Sequence, residues 1–594
     1  MIDPAEPFVL LDDARAEPDG PARLFRRPVE VISTSEPADV RRCLDRLRRV
    51  QADGLHVAGF LSYEAGHALE RKLAPIARSP LQNESPLLWF GLFETFQGID
   101  RVEALLPDPG SAWAAPPRPM VARSAYEAAI ARVKAHIEAG DIYQANLSFP
   151  AEVRFAGAPL ALYARLRARA RAGFGAVVHT GTHWLLSLSP ELFFAVRGGQ
   201  VTTRPMKGTA TRGATVGDDQ AAITALAADP KQRAENLMIV DLLRNDLSRV
   251  SIPGSVRVPA LFEIETYPTV HQLTSTIVAE LEPGLGAIDL LETIFPCGSI
   301  TGAPKIRAME LIDVIEQRPR GVYTGAIGRI DPDGGAAFNV AIRTLTIEAG
   351  ADRAMLGLGS GIVADSRAGD EWRECLAKGA FVSDGGSGFD LIETMRFDPD
   401  DGIADLERHL ERMKASADAL GFAFDRHGAR NELQAATFPL RERRMLRLLL
   451  APSGAVAIEC RPMPDEVDEP VQVAVAALPV ASADFRLRHK TSDRDFYDHA
   501  RAGAGCFEVM FVDREGFLTE GSFTSIFVEK DGRILTPPLA RGLLPGIFRG
   551  KLIDEGRAFE ADLTLDDLRQ GFYIGNSVRG FVSATLTQGS ASPR

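Results

Sequence analysis

Apolar positions recur at helical spacing in ADVRRCLDRLRRV, ALYARLRARARAGF and AENLMIVDLLRNDLSRV, which predicts amphipathic helices. The stretch SAYEAAIARVKAHIEAGDIYQANLSFPAEV predicts another, capped by Ser124 and ended at Gly140, passing into a strand. HVAGFLSYEAGHALE has the continuous apolar run of a buried strand turning into a helix. LLSLSPELFFAVRGGQVTTRP predicts a β-hairpin, and RPMKGTATRG after it a loop with free backbone amides and Lys207 at its hinge. The helix of Ala234 to Val250 carries Glu235 at its N-terminal end, where the helix dipole favours an anion. ETYPTVHQLTSTIVAEL predicts a strand bearing His271; GVYTGAIGRI, AAFNVAIRTLTIEAG and the start of LGLGSGIVADS predict further strands. TIFPCGSITGAPKIRAMELIDVIE predicts a Gly/Ser/Thr loop feeding a helix, with amides open to an anion. DEWRECLAKG opens a helix with Glu371 and Glu374 one turn apart on one face.

The pattern is interrupted twice by Pro- or Gly-rich segments, PDPGSAWAAPPRPM and VSDGGSG. The second marks the main boundary, giving a first domain over residues 1–382, a linker over 383–388 and a second domain over 389–594. The second domain starts its own strand–helix unit at FDLIETMRF and becomes β-rich from about Val471; the tail TQGSASPR is expected to fray. A chain of 594 residues is too long for a single core, which agrees with two domains.

Composition narrows the class. Apolar residues make up 45% and charged residues 25%, as in an ordinary soluble globular protein, and the net charge of −13 argues against a general nucleic-acid binder. Five scattered cysteines without C-x-x-C spacing point to reduced thiols in a cytoplasmic protein and against structural zinc. The N-terminal MIDPAEPFVLLDD is acidic and Pro-broken, unlike a signal peptide, and no apolar run is long enough to span a bilayer.

Individually the candidate groups are ordinary: a lysine at a strand end, a histidine on a strand and acids early in helices are mostly structural. Together, Lys207, Glu191, His271 and the acids Glu235, Glu371 and Glu374 suit a partly desolvated lysine beside a hard divalent ion. Composition and spacing stop at a Mg²⁺ site, a basic lysine and an anion-binding loop.

SLSPELFF, RPMKGTATRG, ENLMIVDLLRNDLSRV, PCGSITGAPKIRAME, YTGAIG and GSGIVADSRAGDEWRE together resemble the chorismate-utilising enzymes, in the family's order, from about residue 120 to 382. PFVLLDD and FLSYEAGHALE extend the likeness towards the N-terminus. The resemblance implies an α+β two-layer β-sandwich with the site between its layers. Lys207 resembles the lysine of the aminodeoxychorismate synthases, where anthranilate synthases carry a small residue. Gln144 stands where isochorismate-forming members use a lysine to activate water. The implied roles are as follows. Mg²⁺ is held by Glu235 and Glu371, assisted by Glu374, and binds the ring carboxylate of chorismate. Lys207 attacks ring carbon 2 while Glu191 acts as general acid towards the 4-hydroxyl, and ammonia then adds at carbon 4 and expels the lysine. His271 belongs to the same catalytic set. Tyr323, Arg343, the amides of Gly359, Ser360 and Gly361, and Lys378 resemble substrate contacts. Cys297 stands where Gly is usual, and Gln232 where some members have a carboxylate. The sequence shows no glutaminase nucleophile elbow, so the resemblance implies ammonia from a separate glutamine amidotransferase subunit.

LRHKTSDRDFYDHA, TEGSFTSIFVEKDGRILTPP, GLLPGIFRGKLI and FYIGNSVRGFVSA resemble, as an ordered set, the fold-type IV pyridoxal-phosphate enzymes, over about 388 to 585. The implied fold is α/β in two subdomains, often a homodimer in that family. Lys490, just past a strand, would hold pyridoxal 5′-phosphate as a Schiff base and shuttle the proton. Glu520, at a turn, would pair with the pyridine nitrogen. Arg412, the amides of Ile547 and Phe548, Asn576 and Ser577 would hold the phosphate. Arg494, four residues after Lys490, fits the aminodeoxychorismate lyases better than the aminotransferases, where a Tyr tends to follow the lysine at close range; Tyr497 is a candidate substitute for that tyrosine, and Ser525, where Asn is common, departs from the usual pattern. The two halves together imply synthesis of 4-aminobenzoate, a folate precursor, with pyruvate released. The alternatives are a synthase half, for aminodeoxychorismate or anthranilate, joined to an amino-acid transaminase, or a first half that only binds ligand and regulates the second.

Overall fold

A computed structural model describes residues 2, 5–15, 18, 20–81, 84–213, 215–266, 270–383, 389–569 and 571–587. Two compact units divide it. The first comprises residues 1–109, 116–153 and 163–383; segments 110–115 and 154–162 group with the second, alongside 384–594. Most of the expected linker, 384–388, and the expected frayed tail, 588–594, lie outside the described residues.

The first unit is built on two large, mainly antiparallel sheets. One has Gln144–Ala156, Arg353–Ile362, Thr344–Glu348, His183–Ser189 and Phe174–His179 at its centre. The other runs from Met206–Thr211 through Val270–Glu280, Gln200–Arg204, Leu192–Arg197, Ala336–Val340, Ala326–Ile330 and His56–Leu61. The predicted hairpin is thereby split: Leu192–Arg197 and Gln200–Arg204 pair with each other, whereas His183–Ser189 belongs to the opposite sheet. Ser189 to Glu191 therefore carries the chain from one layer to the other.

Three local expectations are corrected. The stretch after Arg204 is the strand Met206–Thr211, and its end pairs with Val270–Glu280, Thr209 opposite Gln272 and Ala210 opposite His271. The register breaks between Met206 and Thr209, where Gly208 takes φ +103°, so Lys207 sits on a bulge and not in an open loop. The helix bearing Glu235 begins earlier, at Pro230, capped by Asp229, whose side chain accepts from the amides of Lys231 and Gln232 at 2.8 and 3.1 Å. Glu235 thus lies in the second turn. Ser124 is not a cap: that helix starts at Arg123, after Ala122. The helix Pro230–Ser248 buries Asn236, Ile239, Val240, Leu243, Asp246 and Leu247, a 3.6-residue stripe that packs on Val270–Glu280 and Met206–Thr211.

The second unit holds a four-stranded antiparallel sheet including Leu391–Asp398 and Arg444–Leu450, with the helix Leu406–Leu420 packed on Leu391–Asp398. It also holds an eight-stranded mixed sheet, in which Val471–Ala477 pairs in parallel with Glu508–Val512 and Gly580–Leu586. Lys490 follows the short helix Phe485–Arg488, not a strand, and Glu520 lies within the strand Leu518–Gly521, not at a turn.

Candidate active sites

Lys207, Glu191, Glu235, Gly359–Gly361, Glu374 and Lys378 converge from different parts of the first unit. The Lys207 Nζ lies 3.1 Å from Glu235 Oε2. A Cβ added at Gly361 would stand 2.9 Å from that Nζ, so the glycine leaves the room the lysine occupies. Lys378 donates to the carbonyl of Gly359 at 3.0 Å and pairs with Glu374 at 2.7 Å. Tyr323 lies against the backbone of Gly357 and Gly359, where any side chain would collide with its ring or hydroxyl. Ser360 is fully buried and its hydroxyl meets that of Tyr126 at 3.1 Å. Arg343 stands at a positive φ of 49° between strands, and its carbonyl accepts from the amide of Leu188.

Glu191 is buried and accepts from the Ser299 hydroxyl at 2.7 Å. Burial pushes its carboxyl up to about 7, against the opposing pull of Ser299, the Met206 amide and the ammonium groups of Lys207 and Lys378. A carboxyl poised there can donate a proton near neutrality. Sequence reasoning missed Ser299, although it lies inside the quoted SITGAPK loop. Cys297 Sγ stands 3.2 Å from Ser299 Oγ, and burial, with Glu191 nearby, pushes its thiol up to about 12; it is an inert neighbour. Asn236 was missed as well. Fully buried, it donates to the carbonyls of Lys207 and Leu273 at 3.4 Å each and accepts from Ser275 at 2.7 Å, pinning the bulge under the lysine. Asn236→Leu is expected to destabilise the first unit by about 1–3 kcal/mol, because it strands buried polar groups. Chemical denaturation checks this; an unchanged midpoint would remove Asn236 from the account.

His271 is also fully buried, but its ring nitrogens face Asp219 and Thr266, at 2.9 Å each. Asp219 is in turn held by Arg212 and the amide of Gly213, so His271 belongs to a network at the end of the Met206–Thr211 strand. The carboxylates expected to hold Mg²⁺ are turned to other partners: Glu235 to Lys207, Glu374 to Lys378 and Glu371 to the Ser366 hydroxyl at 2.6 Å. Among the described residues no group of three or more His, Cys, Asp or Glu side chains comes together as a metal site. Their donor type still suits a hard ion, and the nearby cations, Lys207 and Lys231, act on more than one of these acids.

In the second unit a cavity of about 260 Å³ is lined by Lys490, Thr394, Arg412, Glu520, Ile547 and Asn576, among others. Lys490 Nζ donates to the Thr394 hydroxyl at 3.1 Å. Burial, reinforced by the guanidinium groups of Arg412, Arg494 and Arg447, pushes the lysine down to about 7 against the pull of Glu393. An amine so tuned is partly neutral at physiological pH, as imine chemistry requires. Glu520 is buried, accepts from the Tyr497 hydroxyl at 2.6 Å and the Leu544 amide at 3.1 Å, and is raised above its ordinary range by that burial. Tyr497 is thus a direct partner of Glu520. Arg412 is gripped by Glu393 at 2.7 and 2.8 Å and donates to the Pro545 carbonyl at 3.0 Å, which sets it beside the start of the helix Ile547–Asp554. Ile547 and Phe548 open that helix, where amides are unpaired within the helix itself. Asn576 accepts from the amides of Val578 and Arg579, and Ser577 donates to the Thr394 carbonyl. Thr394, Glu393 and Tyr497 complete a site whose donors match a phosphate-bearing pyridine aldehyde.

This two-layer sandwich and its lysine-centred site define a chorismate-binding enzyme, and the chain belongs to that family, whose description matches residues 6–384. Residues 390–586 match the amino-transferase class IV family, so the chain joins two enzyme domains. The chain is 44% identical over 268 residues to aminodeoxychorismate synthase component 1 of Klebsiella aerogenes, covering 45% of this chain and 58% of that protein. It is 40% identical over 264 residues to anthranilate synthase component 1 of Haloferax volcanii, covering 44% and 50% of the two. The match thus spans about a third to three fifths of the length of curated relatives such as these. The crystal structure of anthranilate synthase component I from Streptococcus pneumoniae matches with a TM-score of 0.54 and 28% identity, over 62% of this chain and 93% of that one. Among the described residues no helix is long and apolar enough to cross a membrane.

Proposed function

We propose that the chain converts chorismate to 4-aminobenzoate in two steps, one in each unit. The observation that carries this reading is the placement of Lys207 beside Glu235 and the glycine-lined strand at Gly361, in a site that also holds Glu191. In the first step the Lys207 amine bonds to ring carbon 2. The double bond shifts and the 4-hydroxyl leaves as water, taking its proton from Glu191. Ammonia bonds to carbon 4, the carbon 2–nitrogen bond breaks, the excess proton on the new amine returns to Glu191, and Lys207 is restored. Tyr323, Arg343, Lys378 and the 359–361 backbone are the groups assigned to hold the substrate's carboxylates. Glu235, Glu371 and Glu374 would hold Mg²⁺, which would supply charge neutralisation for a ring carboxylate. The proposal leaves His271 a positioning role through Asp219. Ammonia is free or delivered by a separate glutamine amidotransferase subunit.

In the second unit Lys490, Glu520, Arg412, Ile547, Phe548, Asn576 and Ser577 would hold pyridoxal 5′-phosphate, which supplies an electron sink. Lys490 would remove the ring proton at carbon 4 and return it to the departing enolpyruvyl group, which leaves as pyruvate as the ring becomes aromatic. Buried Glu520 is placed to keep the pyridine nitrogen protonated. The reading is tested with chorismate, ammonium and Mg²⁺, by identifying the amine isomer and the 2-oxo acid formed. Anthranilate as the product, or amino-group transfer between an amino acid and a 2-oxo acid by the second unit, would replace this assignment.

Two further outcomes are expected. Chelation with EDTA should stop chorismate amination and leave conversion of supplied aminodeoxychorismate to 4-aminobenzoate unchanged; equal inhibition of both would remove the metal from the first unit. At fixed free ammonia, kcat/KM for chorismate should fall as pH rises through about 7, because the protonated form of Glu191 is the active one and is lost above that value. Glu191→Gln should lower the rate by about 10²–10⁴-fold and abolish this alkaline limb. A limb that persists in the variant would point to another acid.

A further inference from the structure

The first unit contains a second cavity, of about 170 Å³, bounded by the segment Ser62–His67, by Ser85 and Leu87, and by the end of the helix Lys305–Glu316 with the turn to Gly321. Neither proposed reaction uses it. Among the described residues, four buried polar atoms on its lining have no hydrogen-bond partner: the Tyr63 hydroxyl, both ring nitrogens of His67 and the Ser85 hydroxyl. The three residues are only 1%, 4% and 5% exposed, so bulk water does not satisfy them in place of a partner. Buried polar groups are normally paired, and three such side chains around one cavity therefore point to an occupant.

The charges around the cavity say what kind. Arg320 is spent on Glu316, at 2.7 and 3.0 Å, and on the Asn146 carbonyl at 2.5 Å. Glu64 accepts from the amides of Arg320 and Gly321 at 2.6 and 3.1 Å, and Arg78 pairs with Asp313. Burial, with Arg320 and Arg78 nearby, pushes His67 down to about 4, so its ring is neutral and offers one donor and one acceptor. Arg318 and Glu84 also line the cavity, Arg318 donating through Nε to the Glu316 carbonyl at 3.2 Å and Glu84 accepting from the Leu81 amide at 2.8 Å. The buried side chains left without a partner, Tyr63, His67 and Ser85, are uncharged, while Ile76, Leu87 and Ile312 supply apolar wall. A cavity of about 150 Å³ accepts one benzene ring, so this one has room for a ring and a small substituent.

We propose that this cavity is a binding site for an uncharged single-ring molecule bearing a hydroxyl, its ring against the apolar wall and its hydroxyl shared between His67 and Ser85. The proposal does not depend on the reactions assigned to either unit. Its probe is phenol, titrated by calorimetry into the full chain carrying pyridoxal phosphate and saturated with chorismate in the absence of ammonia, so that both other sites are filled. Benzoate is the charged control. Phenol should bind with 1:1 stoichiometry and benzoate should not. Ser85→Ala and Tyr63→Phe, each removing one hydroxyl, should be compared with His67→Gln, each confirmed as folded by circular dichroism. Ser85→Ala and His67→Gln should each weaken phenol about five- to tenfold, the loss of one net hydrogen bond. No heat with phenol, equal binding of benzoate, or parental affinity in both Ser85→Ala and His67→Gln would mean that the cavity holds water alone, and would overturn the proposal.

Discussion

Lys207→Ala should abolish amination of chorismate, with a loss on the order of 10³-fold or more, the scale on which removal of a covalent nucleophile falls. The side chain extends from a bulge pinned by Asn236, and its amine meets Glu235 on one side and the Gly361 backbone on the other. Among the described residues the two neighbouring lysines are held elsewhere: Lys378 by Glu374 and the Gly359 carbonyl, and Lys231 by Asp365 at 2.9 Å, with Glu235 4.0 Å away. The variant should still turn aminodeoxychorismate into 4-aminobenzoate, which separates loss of chemistry from loss of folding. Mass analysis of the parent enzyme, quenched with chorismate in the absence of ammonia, should find the substrate-derived ring on the peptide containing Lys207. Continued formation of the 4-amino product by Lys207→Ala would end the nucleophile assignment, whatever the adduct experiment showed.

Lys490→Ala should have the second large effect. The variant should consume chorismate at the parental rate and accumulate aminodeoxychorismate, with 4-aminobenzoate reduced on the order of 10³-fold or more, because in the proposed reaction one amine is both anchor and proton carrier. Lys490 is held by Thr394 and pushed down to about 7 by burial and three neighbouring guanidinium groups, an environment that a structural lysine would not need. A readout independent of turnover is the visible band of the bound cofactor, which should revert to that of the free aldehyde in Lys490→Ala. Parental 4-aminobenzoate formation by this variant would remove the lyase activity from the second unit. Glu520→Ala should be milder in binding than in rate, since the contact proposed for it is with the ring nitrogen and not the phosphate.

The motifs around Lys207, Glu191, Lys490 and Glu520 were legible because the chemistry of these sites rests on residue types at short spacing, together with the order in which the segments follow. Helices such as Pro230–Ser248 were legible for a related reason: their apolar stripe is a local pattern. The start of that helix was missed although Asp229-Pro230 is itself a start signal, because the apolar run, and not the cap, was followed. The strand Met206–Thr211 was read as a loop because its small and polar residues lack an alternating pattern; pairing with Val270–Glu280, about sixty residues away in sequence, makes it a strand.

The sequence by itself determined two domains, their order and the helices with strong apolar periodicity, and it supplied the candidate reactive side chains. Only the tertiary structure decided who touches whom. Ser299 reaches Glu191 across 108 positions, Thr394 reaches Lys490 across 96, and the His271 ring turns to Asp219 across 52. The physical reason is range: periodicity and capping act within a few turns of chain, whereas the burial that raises Glu191 and lowers Lys490 exists only after distant strands and helices have closed around them.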